Sequence, residues 1–221
     1  MGLNVQLNNG VVLGFPTPMV RHEVEEAKRV NPALCKAILE RARMQPSVDR
    51  HNVGGWRSGD DLLSWPLKEM TVIKTAINKV IAQLTQLTVG ISNKAVRGEV
   101  NATAWATVCR TGDYVKPHTH PLSTWSGVYF VSGDEEVEGH PDSGVVEFLD
   151  PRSAIDQLPT PGNPFGATFK VHPTPGLLIA HPSWLVHFVN PYFGTEERIT
   201  IGFNAFVKNV SINDAAGESG L

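Results

Sequence analysis

The chain has 221 residues, 41% of them hydrophobic and 19% charged, with a formal net charge of -3. This is the composition of a soluble globular protein that can bury a sizeable core, as one good-sized domain or a core domain with an added helical layer. The slightly acidic balance and the lack of a Lys/Arg cluster argue against a nucleic-acid-binding surface, and no apolar run reaches membrane-spanning length. The N-terminus lacks the basic-then-apolar layout of a signal peptide, and Cys35 and Cys109 read as buried free thiols, so a cytoplasmic location is expected.

Up to Met19 the chain alternates loosely around Asn8-Asn9-Gly10, a hairpin signal that Pro16 and Pro18 end. Asn31-Pro32 predicts a helix start, an N-cap followed by proline, with Leu34, Cys35, Ile38, Leu39 and Ala42 as one apolar stripe. Asn52-Val53-Gly54-Gly55-Trp56-Arg57-Ser58 is glycine-rich but lacks the Gly-Lys-Ser/Thr ending of a phosphate loop; it reads as a shaped loop anchored by Trp56. A second helix is expected after Pro66, with Leu67, Met70, Ile73, Ile77, Val80, Ile81, Leu84 and Leu87 forming a packing face and Gly90 a stop.

After Gly98 the period changes to two. Val100, Ala102, Ala104, Ala106 and Val108 alternate with mostly polar neighbours, the pattern of a half-buried strand. Strand-like runs recur at Gly127–Val131, Val145–Leu149, Thr168–Val171, Leu177–Ala180 and Arg198–Val207, and prolines and glycines between Pro151 and Pro175 mark long loops. The expected class is α+β, mainly β: a sandwich or barrel over residues 98–221, with helices of residues 1–97 packed on it as one compact unit.

The chemistry gathers around Lys116-Pro117-His118-Thr119-His120-Pro121. On an extended backbone His118 and His120 project to the same side, where one ion can take both; zinc, iron, copper and nickel all accept imidazole. A third histidine, His187, closes Pro182-Ser183-Trp184-Leu185-Val186-His187. In the strand that follows, Ile199, Ile201, Phe203 and Ala205 form an apolar face, and Arg198, Thr200, Gly202 and Asn204 share the other. An arginine and a hydroxyl on an inward face, with a glycine leaving room, suit a buried carboxylate ligand; by alternation alone a solvent-facing strand edge fits equally well. His181 reads as structural or as a neighbour of His187, and His22, His51, His140 and His172 as exposed. Asp150-Pro151-Arg152 reads as an ion pair at a strand end.

The order His118-X-His120, His187, Arg198-X-Thr200 resembles the layout of the Fe(II)/2-oxoglutarate-dependent dioxygenases. With Asn52–Trp56, Ser126–Phe130, Asp150–Arg152 and Glu197–Ile201, nearly the whole chain resembles a bacterial and phage group of 2-oxoglutarate/Fe(II) oxygenases. The resemblance implies a double-stranded β-helix, a jelly-roll barrel with Fe(II) held by His118, His120 and His187. It further implies that Arg198 and Thr200 bind the far carboxylate of 2-oxoglutarate, with Tyr129 and Asn204 as further contacts. Dioxygen and a small-molecule or peptide substrate are the implied partners, and hydroxylation the implied reaction. His120 stands where most of that superfamily has a carboxylate, and Asp142 and Glu147 lack the spacing to replace it. The departure keeps open a three-histidine dioxygenase that does not use 2-oxoglutarate, and a metal-holding jelly-roll module without catalysis.

Overall fold

The computed structural model describes residues 15–89, 94–152 and 168–214. The expected hairpin around Asn8-Asn9-Gly10, the helix stop at Gly90 and most of the proline-rich stretch after Pro151 lie outside them.

Two antiparallel sheets face each other without closing into a continuous barrel. The larger runs β1 (Val20–Glu23), β9 (Leu177–Pro182), β6 (Trp125–Phe130), β11 (Arg198–Asp214), β4 (Lys94–Cys109) and β3 (Trp56–Arg57). The smaller runs β2 (Asn52–Val53), β5 (Tyr114–His118), β10 (His187–Val189), β7 (Val146–Leu149) and β8 (Thr168–Val171). This is the jelly-roll arrangement, mostly β with two long helices, α1 (Ala27–Met44) and α2 (Met70–Val89). No helix among the described residues is long and apolar enough to cross a membrane.

The two faces of the larger sheet divide the labour. Ala104, Ala106 and Val108 of β4, Trp125 and Tyr129 of β6, and Ile199, Ile201, Phe203 and Ala205 of β11 bury against Leu34 and Ile38 of α1 and Ile73, Ile77, Val80, Ile81 and Leu84 of α2. Each helix hides its stripe on that face, because neither stripe has another apolar surface to cover it. The opposite face holds a second cluster, in which Phe130, Leu177 and Ile179 meet Val146, Phe148 and Val171 of the smaller sheet.

The N-terminal part of the chain is less purely helical than its periodicity predicts. β1 pairs with β9, β2 with β5 and β3 with β4, so this part supplies a strand edge to both sheets, and β4 already begins at Lys94. These strands are two to four residues long, too short for alternation to register. Asn31 is not an N-cap either: α1 starts at Ala27 and carries Pro32 inside its early turns. Asn31 is buried, donating from Nδ2 to the Val131 carbonyl (2.9 Å) and accepting from the Tyr129 hydroxyl (2.6 Å). A polar side chain had a tertiary partner to satisfy, and that partner outweighed the local capping signal.

This contact is the polar rivet between α1 and β6. Asn31→Ala leaves the Tyr129 hydroxyl and the Val131 carbonyl buried without that partner, and urea unfolding is expected to show a loss of roughly 1–3 kcal/mol. A change near zero would mean that the helix is held by apolar contact alone.

Candidate metal and anion site

The site lies between the sheets, and strand register builds it. His118 of β5 and His187 of β10 are direct cross-strand partners, and His187 faces Phe148 of β7 on its other side. His120 lies just beyond β5, where its backbone N–H donates to the Ser183 carbonyl (2.9 Å) and so ties it to the turn ahead of His187. The ligand-capable nitrogens of the three rings all lie within 4.8 Å of one another, and Nε2 of His120 is 3.2 Å from Nε2 of His187. Two imidazoles bound at right angles to one ion at roughly 2.0–2.1 Å would place their nitrogens about 3 Å apart, so the spacing fits a shared metal.

Tautomers follow from the carbonyls. Nδ1–H of His118 donates to the Lys116 carbonyl (2.8 Å) and Nδ1–H of His187 to the Leu185 carbonyl (2.9 Å). A carbonyl can only accept, so in both rings Nε2 keeps its lone pair free for a metal. Burial lowers the pKa of all three rings, to about 4 for His118, with the neighbouring imidazoles adding to the effect. Neutral imidazole is the form that ligates.

Across the cavity, β11 pairs with β4 so that Arg198 faces Cys109, Thr200 faces Thr107 and Gly202 faces Trp105. Arg198 is 1% exposed, its stem enclosed by Gly133 and Gly144, where a Cβ would fall within 3 Å of it. Its guanidinium meets the Cys109 thiol, while Nε and Nη2 have no hydrogen-bond partner. Burial pushes its pKa down. An unpaired buried guanidinium is costly, and an anion is the ligand that removes the cost. Arg198, Thr200, Thr107 and Gly202 line the same cavity as the three histidines.

The remaining expectations divide. Tyr129 is turned the other way: it is fully buried in the helix-facing core, its hydroxyl on Asn31, so it makes no contact with the cavity. Strand alternation is the reason, since Tyr129 shares its face with Trp125, while Val128 faces the cavity. Asn204 shares the face of Arg198 but lies one step beyond Gly202, outside the cavity lining, with Oδ1 buried and unpartnered. Among the described residues, neither Asp142 nor Glu147 joins the three histidines. Glu147 accepts from Asn190 (2.8 Å), and Asp142 pairs with Lys170 (2.7 Å). Asp150 and Arg152 form an exposed ion pair (2.6 Å).

Among the lining residues, Arg57 and Trp105 escape the sequence reading, whereas His181 sits beside His187, one of its two expected places. His181 is buried edge-on against His187 (ring centroids 4.6 Å), its Nδ1–H on the Pro182 carbonyl (2.9 Å). Alternation from Ile179 could have placed it on the cavity side. Arg57 and Trp105 also line the cavity, and His51 stacks on His118 (4.6 Å) although exposed.

The buried rings set an acid limit for the metal-free protein. Their folded-state pKa values lie below the ordinary 6.5, so the unfolded chain takes up protons first. Stability is then fully present above 6.5 and falls as the pH drops through the folded values, about 4 for His118 and about 3 for His181. Calorimetry in chelator should show the melting temperature falling across this window, and less steeply in His181→Phe.

Residues 103–204 match the model of a family described as "Putative 2OG-Fe(II) oxygenase". No curated protein matches the chain. Among solved structures, a prolyl-4-hydroxylase from Pseudomonas putida aligns with a TM-score of 0.59 and 14% identity, over 86% of this chain and 92% of that one. A non-haem alpha-ketoglutarate-dependent epimerase from nogalamycin biosynthesis aligns at 0.58 and 14% identity, over 93% and 87%. HygX from Streptomyces hygroscopicus, solved with nickel, 2-oxoglutarate and hygromycin B, aligns at 0.55 and 11% identity, over 86% and 83%. At such identities the structures speak for the shared fold, and the family match covers the strands that bear the site. That match spans the segment holding the three histidines and Arg198, and over it the chain is similar to the 2OG-Fe(II) oxygenase family.

Proposed function

We propose that the chain is a 2-oxoglutarate-dependent oxygenase that hydroxylates a small-molecule or peptide substrate, with His118, His120 and His187 holding Fe(II). Arg198, with Thr200, holds the far carboxylate of 2-oxoglutarate. The observation that carries this reading is the Arg198 guanidinium, fully buried with two nitrogens unpartnered and opening on the same cavity as the three imidazoles. When bound, Fe(II) and 2-oxoglutarate supply the oxidising chemistry of this class, in which dioxygen is consumed, 2-oxoglutarate leaves as succinate and carbon dioxide, and one oxygen atom goes to the substrate.

The chain's own part is orientation and exclusion of water. The Lys116 and Leu185 carbonyls fix the ring planes of His118 and His187. Phe148, Val128 and Val146 line the cavity with apolar surface, which lowers the local dielectric and strengthens a charge-assisted contact to Arg198. The stem of Arg198 cannot swing away, because Gly133 and Gly144 leave it no spare volume. With imidazole in place of the usual carboxylate, the ligand set brings no negative charge, so an anionic cosubstrate is drawn to the metal as well as to Arg198.

Arg198→Ala is expected to weaken 2-oxoglutarate binding by roughly 2–5 kcal/mol in anaerobic titrations of the iron-loaded protein, with metal content little changed. Equal affinity in the variant would make Arg198 a structural residue. Removing a metal ligand should act on the other quantity. His187→Ala and His120→Ala should each lower iron affinity by more than an order of magnitude, read by competition with a chelator, whereas His120→Asp should retain the metal. Dioxygen consumption that does not depend on 2-oxoglutarate, or no succinate formation at all, would favour the other readings of a three-histidine site.

A further inference from the structure

The mouth of the cavity differs chemically from its floor. Arg50, His51, Asn52 and Arg57 line it, all from the strap that precedes and includes β2 and β3. Arg57 is 7% exposed and held rigidly: Nη2 donates to Asp60 (2.6 Å), Nη1 donates to the Ser58 carbonyl (2.7 Å), and the guanidinium carbon lies 4.6 Å above the Trp105 ring. Trp105 in turn leans on His120, with ring centroids 5.6 Å apart, so the mouth adjoins the metal site directly. Arg50 is exposed and has no ion-pair partner among the described residues. Burial lowers the pKa of Arg57, the Asp60 carboxylate opposes this, and the Arg50 charge adds to it. None of the described residues lining the cavity is acidic.

From this arrangement we infer a second anion site at the mouth, formed by Arg57 and Arg50 beside the Trp105 ring, which selects substrates carrying a carboxylate or phosphate next to a planar or apolar group. The inference rests on the cosubstrate reading above for one step: with 2-oxoglutarate on the metal and Arg198, both of its charges are used. A divalent ion on three neutral imidazoles needs two negative charges and Arg198 a third. One positive charge then remains inside and Arg50 stays unpaired at the rim, so a neutral or cationic substrate would meet a repulsive or indifferent opening and an anionic one a complementary opening. Trp105 supplies an apolar ring edge beside which a planar or apolar group can lie, its face being covered by the Arg57 guanidinium.

The test uses the full chain loaded with zinc, which keeps the site diamagnetic, and saturated with 2-oxoglutarate. Benzoate, phenyl phosphate and neutral benzyl alcohol are titrated while the Trp105 indole N–H resonance, assigned with Trp105→Phe, is followed. At least one anion should shift that resonance saturably, with affinity falling as salt rises, while benzyl alcohol leaves it in place; the preferred anion identifies carboxylate or phosphate as the group. Arg57→Gln and the fully surface-accessible Arg50→Gln should each weaken the anion by about tenfold or more, and Arg50→Gln keeps the test valid if Arg57→Gln unfolds. Binding of 2-oxoglutarate should stay within about twofold in Arg50→Gln and drop in Arg198→Ala, so the two anion sites separate. Equal binding of benzyl alcohol, anion binding that ignores both mouth substitutions, or no anion binding below roughly 10 mM overturns the inference. If 2-oxoglutarate itself fails to bind, the cosubstrate reading falls, and the dependence of anion binding on Arg57 and Arg50 in the zinc-loaded protein still decides the mouth.

Discussion

The two-residue period of β11 paired along β4 is the constraint on which the rest depends. Because successive side chains leave opposite faces, a single pair of strands gives one surface to the helices and the other to the cavity. Ile199, Ile201 and Phe203 seat α1 and α2, while Arg198, Thr200 and Gly202, interleaved with them, face the histidines. A one-residue slip would expose the core face and bury the helices against arginine and threonine, so the apolar packing that stabilises the fold also fixes the register of the site.

Within the cavity, burial lowers the pKa of both kinds of nitrogen base, with different outcomes. Imidazoles respond by staying neutral, which suits metal ligation, and four of them gather close together with little mutual repulsion. The guanidinium cannot readily give up its proton and so stays charged and under-partnered. One low-dielectric space thus holds a neutral donor set on the smaller sheet and a fixed cation on the larger one. A ligand with a chelating end and a distant carboxylate matches that separation.

Much of this was legible in residues with strong periodicity. The stripe from Leu67 to Leu87 and the alternation from Val100 to Val108 each have one unambiguous period, and both elements form, although the helix starts at Met70 and Leu87 is left exposed. The convergence of the three histidines was legible because a His-X-His pair on extended backbone and a distant histidine before an Arg-X-Thr strand form a pattern visible without tertiary knowledge. What failed needed long-range partners. Asn31 looked like a cap until Tyr129 and the Val131 carbonyl, about a hundred positions away, claimed it. Tyr129 looked like a cosubstrate contact because the direction of its strand face was undetermined by sequence. The short strands of the N-terminal half exist only through their pairing with β4, β5 and β9, so no local pattern announces them.

The glycine strap has one more consequence. Gly54 and Gly55 take φ values of 68° and 62°, and a Cβ on Gly55 would meet the Val108 carbonyl. This tight reversal lets β2 join the smaller sheet and β3 the larger one within six residues, Asn52 to Arg57. The strap is therefore a clasp across the two sheets, further pinned where Trp56 Nε1 donates to the Gln45 carbonyl (2.9 Å). Opening the cavity on this side would require breaking pairing in both sheets together. The aperture behind the clasp is accordingly held at a set width by pairing on both sides of it.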